Sequence, residues 1–203
     1  MALGDPYATR DELKARMDIP DTADDDRLDD ALASASREIE QWCRRQFNDA
    51  GTPTARVYKP RTGCLLAVDD FSTTTGLTVA VDYGDDGTYE TTWSAGDYQP
   101  EPLNGVVGGQ PGWPFWRLRA VGSSQFPTCS ARPAVQVTAR WGWATVPAPV
   151  REACLVIASE LFKLGDAPFG VAGFGEFGPV RIRMNSRAQS LLAPYRRDPV
   201  LVA

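Results

Sequence analysis

Histidine occurs nowhere in the 203 residues. That removes the usual general base, the commonest metal ligand and every triad that depends on imidazole. Cysteine is scarce too: Cys43, Cys64, Cys129 and Cys154 are the only four, and none belongs to a C-x-x-C pair. No zinc site and no other cofactor or metal is expected from such a set. With nothing else pointing to an oxidising compartment, the thiols read as reduced and mostly buried. No apolar run approaches the roughly 18–20 residues of a membrane helix, so no membrane partner is expected. The opening MALGDPYATRDELKARM has neither a basic nor an apolar signal region, which points to a cytoplasmic origin.

What remains is an ordinary globular composition, 43% hydrophobic and 23% charged. It suits one domain, or one domain carrying a large insertion. The net charge of −5 is unevenly spread. Residues 1–49 hold 13 acids and 7 bases, whereas residues 181–203 hold one acid, Asp198, and five arginines. Such asymmetry suits head-to-tail or partner contacts, and equally two solvated faces.

The first 47 residues predict two helices. Thr9 with Glu12 forms a capping box, Leu13 and Met17 share a face, and Ile19-Pro20 closes the first helix. Asp24-Asp25-Asp26 opens the second, since carboxylates favour a helix N-terminus. Its apolar positions Leu28, Leu32, Ala35, Ile39, Trp42, Cys43 and Phe47 step by three and four, for about six turns. From Arg56 to Trp143 the period becomes two. Leu77–Tyr83 alternates and turns at Gly84–Gly87 into Thr88-Tyr89-Glu90; Phe115–Arg119 and Val135–Trp141 are further strands. Gly- and Pro-rich loops, Pro100–Gly105 and Gly108–Gly112, lie between. Pro147 and Pro149 restart helical sequence from Val150 to Leu164, closed by Gly165. That helix is apolar over most of its circumference, with Leu155, Val156 and Phe162 outside the main stripe. It is therefore central to a core or shared with a neighbouring subunit. A Gly-rich stretch with Phe169, Phe174 and Phe177 follows, then a short helix from Ser186 to Leu192 and an arginine-containing tail. The fold class expected is α+β: a helical core of two N-terminal helices and one C-terminal helix, a large β-rich insertion, and an extended C-terminal arm. Its parts are 1–50, 51–146, 147–169 and 170–203.

Three patterns invite chemistry and are explained more simply. Gly173–Gly178 matches G-x-G-x-x-G but follows a helix and meets Pro179, without the β-α-β unit a dinucleotide needs. Asp82, Asp86 and Gly87 occupy positions one, five and six of a calcium loop, but Gly84 and Trp93 stand where two essential oxygens belong, so a hairpin turn accounts for them better. Trp113, Trp116, Trp141 and Trp143 could form a ligand platform. Residues 51–146 carry 8 acids against 7 bases, which suits core and interface packing better than nucleic acid. A carboxylate-dependent hydrolase using Asp97 and Glu101, or a β-domain ligand binder using the tryptophans, remain the alternatives from other functional classes.

Four segments together resemble a known family. They are the helix from Tyr7 (Tyr-Ala-Thr-Arg-Asp-Glu-Leu-Lys), the helix ending Trp42-Cys43-Arg44-Arg45-Gln46-Phe47, Arg140-Trp141-Gly142-Trp143 leading through Val146-Pro147 into the third helix, and the Phe-Gly-rich loop into Arg181-Ile182-Arg183. In that order they resemble the head-to-tail adaptor (connector) proteins of tailed bacteriophages. The resemblance implies a non-enzymatic virion neck protein assembled in the host cytoplasm, a ring of twelve copies beneath the portal protein and around the DNA channel. A stopper or tail-terminator protein would sit on its far side, and DNA would pass without specific binding. On this reading Leu155, Val156 and Phe162 serve the ring interface, and Phe174, Phe177, Arg181, Arg183, Arg187, Arg196 and Arg197 dock on the portal. A head-completion (stopper) or tail-terminator protein of the same neck is the nearest alternative.

Overall fold

A computed structural model describes residues 4–165 and 185–197. The fold is α+β, with four α-helices and two antiparallel sheets among the described residues. The described residues divide into two compact units, one of residues 48–145 and one of residues 4–47 with 146–165 and 185–197.

The helical unit starts at α1 (Arg10–Met17), where the Glu12 amide donates to Thr9 Oγ1 at 3.2 Å and the Thr9 amide to Glu12 Oε2 at 2.8 Å. This is the capping box expected from the sequence. The helix ends at Met17, where Asp18 turns left-handed (φ 56°). Helix α2 (Asp25–Cys43) is shorter than its apolar periodicity predicts, because Arg44 is left-handed (φ 53°) and diverts the chain. Phe47 is therefore off the helix, yet wholly buried. Helix α3 (Ala148–Gly165) lies against α1, α2 and the short α4 (Ser186–Leu192). Small side chains line the buried faces, Ala31, Ala35 and Ser36 on α2 and Ala153, Cys154 and Ala158 on α3. They let the backbones approach: Ser36 Oγ is 3.5 Å from Cys154 Sγ. Ser36 also accepts the Tyr7 amide at 3.0 Å and donates to the Leu32 carbonyl at 2.8 Å, so its burial leaves no polar atom stranded.

In the β unit, β1 (Thr54–Tyr58), β7 (Val135–Ala139), β3 (Thr78–Val81) and β4 (Thr91–Thr92) form one sheet in that order. Strands β2 (Leu65–Phe71), β6 (Phe115–Ala120) and β5 (Tyr98–Glu101) form the other. The core sets large aromatic rings among aliphatic side chains. Phe71, Trp93, Phe126 and Trp141 are buried with Leu66, Val79, Val81, Leu118, Val135 and Val137. The Trp93 and Phe126 rings stack at 4.6 Å. Strand β2 faces Leu66, Val68 and Asp70 inward by alternation, and its register slips between Ala67 and Phe71, where Phe71 is buried out of phase. Asp70 there accepts the Trp143 indole N–H at 3.0 Å on its carboxylate and the Gly142 amide at 2.6 Å on its carbonyl. The expected strand after Gly84–Gly87 starts later than predicted, at Thr91, because residues 83–87 form an irregular loop.

Candidate functional site

Among the described residues, the large apolar side chains left exposed are Val57, Tyr83, Leu103, Val106 and Val121, all in the β unit. Leu103 (58% exposed) and Val106 (40%) share one loop. Local bonds hold that loop in shape. The Gly105 amide donates to the Pro102 carbonyl at 3.1 Å, Val106 to Leu103 at 3.2 Å, and Trp113 to Gly105 at 3.0 Å. Val107 and Gln110 then exchange backbone bonds of 3.0 and 2.9 Å around Gly108 (φ 56°) and Gly109 (φ 79°). Two consecutive positive φ values are what a two-residue hairpin turn demands. Beneath it, Trp113 packs on Trp143 at 5.2 Å and on Trp116 at 6.1 Å. The sequence reading took this segment as plain Gly/Pro loop; Leu103 and Val106 standing between its turn residues were the available signal.

The residues assigned to a ring interface sit differently. Val156 (6% exposed) and Phe162 (8%) are buried within the helical unit, and the Arg27 guanidinium lies 4.7 Å over the Phe162 ring. Leu155 is half-buried. Of the residues assigned to portal docking, Phe174, Phe177, Arg181 and Arg183 lie outside the described residues. Arg187 is exposed on α4, whose Asn185 cap accepts the Arg187 amide at 2.8 Å. The tail then closes on the end of α2. Arg196 stacks 4.9 Å over Trp42, Tyr195 meets Phe47 edge-on at 5.9 Å, and the buried Arg197 donates its amide to the Cys43 carbonyl at 2.9 Å. That last bond satisfies a carbonyl which the helix end leaves open.

The charges of the helical unit knit its elements together. Arg10 and Lys14 on α1 reach Asp25 at 3.2 and 2.6 Å, Arg16 reaches Glu152 at 3.1 Å, and Arg151 reaches Glu12 at 3.4 Å. The acid pair weighed for hydrolysis is committed elsewhere. Asp97 accepts from the Ser94 amide (2.8 Å) and hydroxyl (2.6 Å) and from the Ser124 hydroxyl (3.1 Å), and the serine bonds hold its carboxyl below the usual range. Glu101 pairs with Arg119 at 2.6 Å and Arg117 at 3.5 Å. Two members of the supposed tryptophan platform, Trp141 and Trp143, are buried. Asp82, Asp86 and Glu90 each bring a carboxylate oxygen within 4.8 Å of the other two and could together hold a cation. Among the described residues no helix is long and apolar enough to cross a membrane.

No model of a protein family matches this sequence, and no curated protein does. Solved structures match along its whole length. One is a chain in the neck of an empty gene transfer agent (GTA) particle determined with C6 symmetry, with a TM-score of 0.60 and 18% identity, covering 100% of this chain and 96% of that one. A chain in the neck of the native GTA particle, determined with C12 symmetry, gives 0.53 and 19% over 100% and 99%. A chain of the native GTA virion gives 0.58 and 17% over 100% and 96%. This chain thus has the fold of components of a phage-like particle, end to end.

Proposed function

We propose that the chain is a structural neck protein of a phage-like particle, a head-to-tail adaptor that assembles as a ring of twelve around the DNA channel. The observation that carries this reading is the whole-length likeness to chains in GTA necks of C6 and C12 symmetry. A ring of twelve accommodates both, with two chains or one per symmetry unit. One face of the ring docks on the portal and the other receives a stopper or tail-terminator protein. Portal docking falls to Phe174, Phe177, Arg181, Arg183 and the exposed Arg187, with Arg196 and Arg197 released from α2 or left to brace the tail. Between copies, half-buried Leu155 and the exposed Leu103 and Val106 contribute apolar burial. The net charge of −5 lets DNA slide, because affinity for phosphates is built from basic neutralisation.

Cryo-electron microscopy of the assembled neck tests the proposal. Twelve copies in one closed ring against the portal are expected. A ring found only at the tail side would make the chain a terminator or stopper, and a lone copy elsewhere would overturn a ring role. Leu103→Asp and Leu155→Glu should each reduce incorporation into necks at least tenfold, by placing an unpaired charge in a closing interface. The melting temperature of isolated Leu103→Asp should stay near the parent's.

A further inference from the structure

We propose that Asp82, Asp86 and Glu90 form a calcium site on the loop between β3 and β4. Their carboxylate oxygens lie within 4.8 Å of one another. Calcium–oxygen bonds of about 2.3–2.6 Å let a single ion touch oxygens so spaced. A cluster of acids alone would mean little on an acidic surface. The telling member is Asp82, which is wholly buried and whose Oδ1 has no hydrogen-bond partner, while its Oδ2 accepts the Gly87 amide at 2.8 Å. A buried carboxylate oxygen without a donor is costly to maintain, and a cation relieves that cost.

The unpartnered oxygen faces the cluster. A Cβ placed on Gly84 would sit 3.8 Å from Asp82 Oδ1 and 3.8 Å from Asp86 Oδ2, so both oxygens border the space above a residue with no side chain. Asp86 spends its other oxygen on the Thr88 amide (2.8 Å) and hydroxyl, bonds that fix its direction and keep it ionised. Glu90 is exposed and completes the trio. The basic group acting on Asp86 is Arg132, whose Nη1 is engaged by the Asp86 carbonyl at 2.9 Å. Asp85 points elsewhere, accepting the Ala131 and Arg132 amides at 3.0 and 3.2 Å.

This differs from what the sequence suggested. Counting from Asp82, Gly84 and Trp93 supply no ligand at positions three and twelve. Glu90 stands at position nine, however, where calcium loops often ligate, and position seven contributes a backbone carbonyl. Asp82, Asp86 and Glu90 with carbonyls and water give a weak site, with a dissociation constant on the order of 0.1–1 mM. Its occupation would tie the β3–β4 loop to the β core through Asp82. Nothing in the argument depends on the neck assignment, and failure here leaves that reading standing.

Terbium luminescence, excited through the aromatic side chains Tyr83, Tyr89 and Trp93 of this region, tests the site in the full chain. Saturable Tb3+ binding, displaced by CaCl2, is expected in the parent. Glu90→Gln and Asp86→Asn should each weaken it at least tenfold, and Asp30→Asn, in the acidic start of α2, should not. CaCl2 should also raise the melting temperature of the parent and not that of Glu90→Gln. Because Glu90 is exposed, its amide variant keeps the fold even where Asp82→Asn does not. Absence of saturable binding, failure of CaCl2 to displace Tb3+, or parental affinity in Glu90→Gln and Asp86→Asn would overturn the site.

Discussion

The two units solve burial in opposite ways. In the helical unit, small residues such as Ala35, Ser36, Ala153 and Cys154 bring helices close, and among the described residues no large apolar side chain is left exposed. In the β unit the core is built on Phe71, Trp93, Phe126 and Trp141, and Val57, Tyr83, Leu103, Val106 and Val121 remain in solvent. Short strands separated by long loops cannot cover every apolar group they carry. Among the described residues, apolar surface is thus left exposed on the β unit and not on the helical unit. The sequence leaves helix α3 two readings, central to a core or shared with a neighbouring subunit. Helix α3 is apolar nearly all round because α1, α2 and α4 all pack against it.

The largest test of this contrast is truncation of each core. Trp141 is 1% exposed and its indole N–H donates to the Thr54 carbonyl at 2.8 Å. Trp141→Ala should cost about 3–5 kcal/mol, and Leu32→Ala on α2 about 2–5 kcal/mol with the smaller loss expected at Leu32. Chemical denaturation of both variants measures the difference. A greater loss at Leu32 would show that the aromatic core is not the more demanding of the two.

Within the β unit, glycines separate a fixed core from a free rim. A Cβ on Gly142 (φ 95°) would fall 1.6 Å from the Asn48 carbonyl oxygen, a collision that only backbone movement relieves. At Gly108 (φ 56°) a Cβ meets nothing within 4 Å. Gly142→Ala should therefore cost about 3 kcal/mol or more, and Gly108→Ala only the left-handed penalty of about 1–2 kcal/mol. Equal melting temperatures for the two would remove the distinction.

The helical unit closes through a polar anchor as well. Tyr7 donates its hydroxyl to Glu40 at 2.6 Å and accepts the Phe47 amide at 3.1 Å, while its ring meets Phe47 edge-on at 5.6 Å. Burial and the Glu40 bond push its phenol well above the ordinary range. Tyr7→Phe keeps the ring and removes both hydrogen bonds of the buried hydroxyl, so a loss of about 1–3 kcal/mol is expected. An unchanged denaturation midpoint would mean that shape alone seals this end of the unit.

How far this organisation could be read beforehand depends on contiguity. The capping box at Thr9 and the bounds of α4 follow from neighbouring residues, and the structure has both. Where one position breaks the pattern, legibility stops. Strand β2 hides because Asp70 occupies a core-facing position that alternation reserves for an apolar residue. Strand β5 contains Pro100, tolerable because β5 is the edge of its sheet. Phe47 continues the apolar stripe of α2 on paper, but Arg44 had already left the helix. Asp82 and Asp86 of the acidic trio follow from loop spacing, whereas Glu90 is brought to them by the chain's path.

The smallest expected effect divides the cysteines evenly between the units. Cys43 and Cys154 are buried in the helical unit, while Cys64 and Cys129 are exposed in the β unit, and all four are free thiols. Burial pushes the Cys43 thiol up to about 12 and raises that of Cys154. A thiol-specific reagent should label two sites quickly in the native protein and four in denaturant, since the thiolate is the reactive form. The same burial carries a pH dependence. An unfolded thiol ionises near about 8.5 whereas folded Cys43 holds its proton, so the unfolded state gains as pH rises between the two values. Stability from this thiol is complete below about pH 8 and declines above it, by roughly 1.4 kcal/mol at about pH 9.5. Cys43→Ala removes the titrating group at the expense of a small cavity, so its stability should fall less steeply over that alkaline range. Native labelling at all four cysteines, or identical alkaline slopes in parent and variant, would show that the helical unit opens as readily as the β loops and would erase the contrast between them.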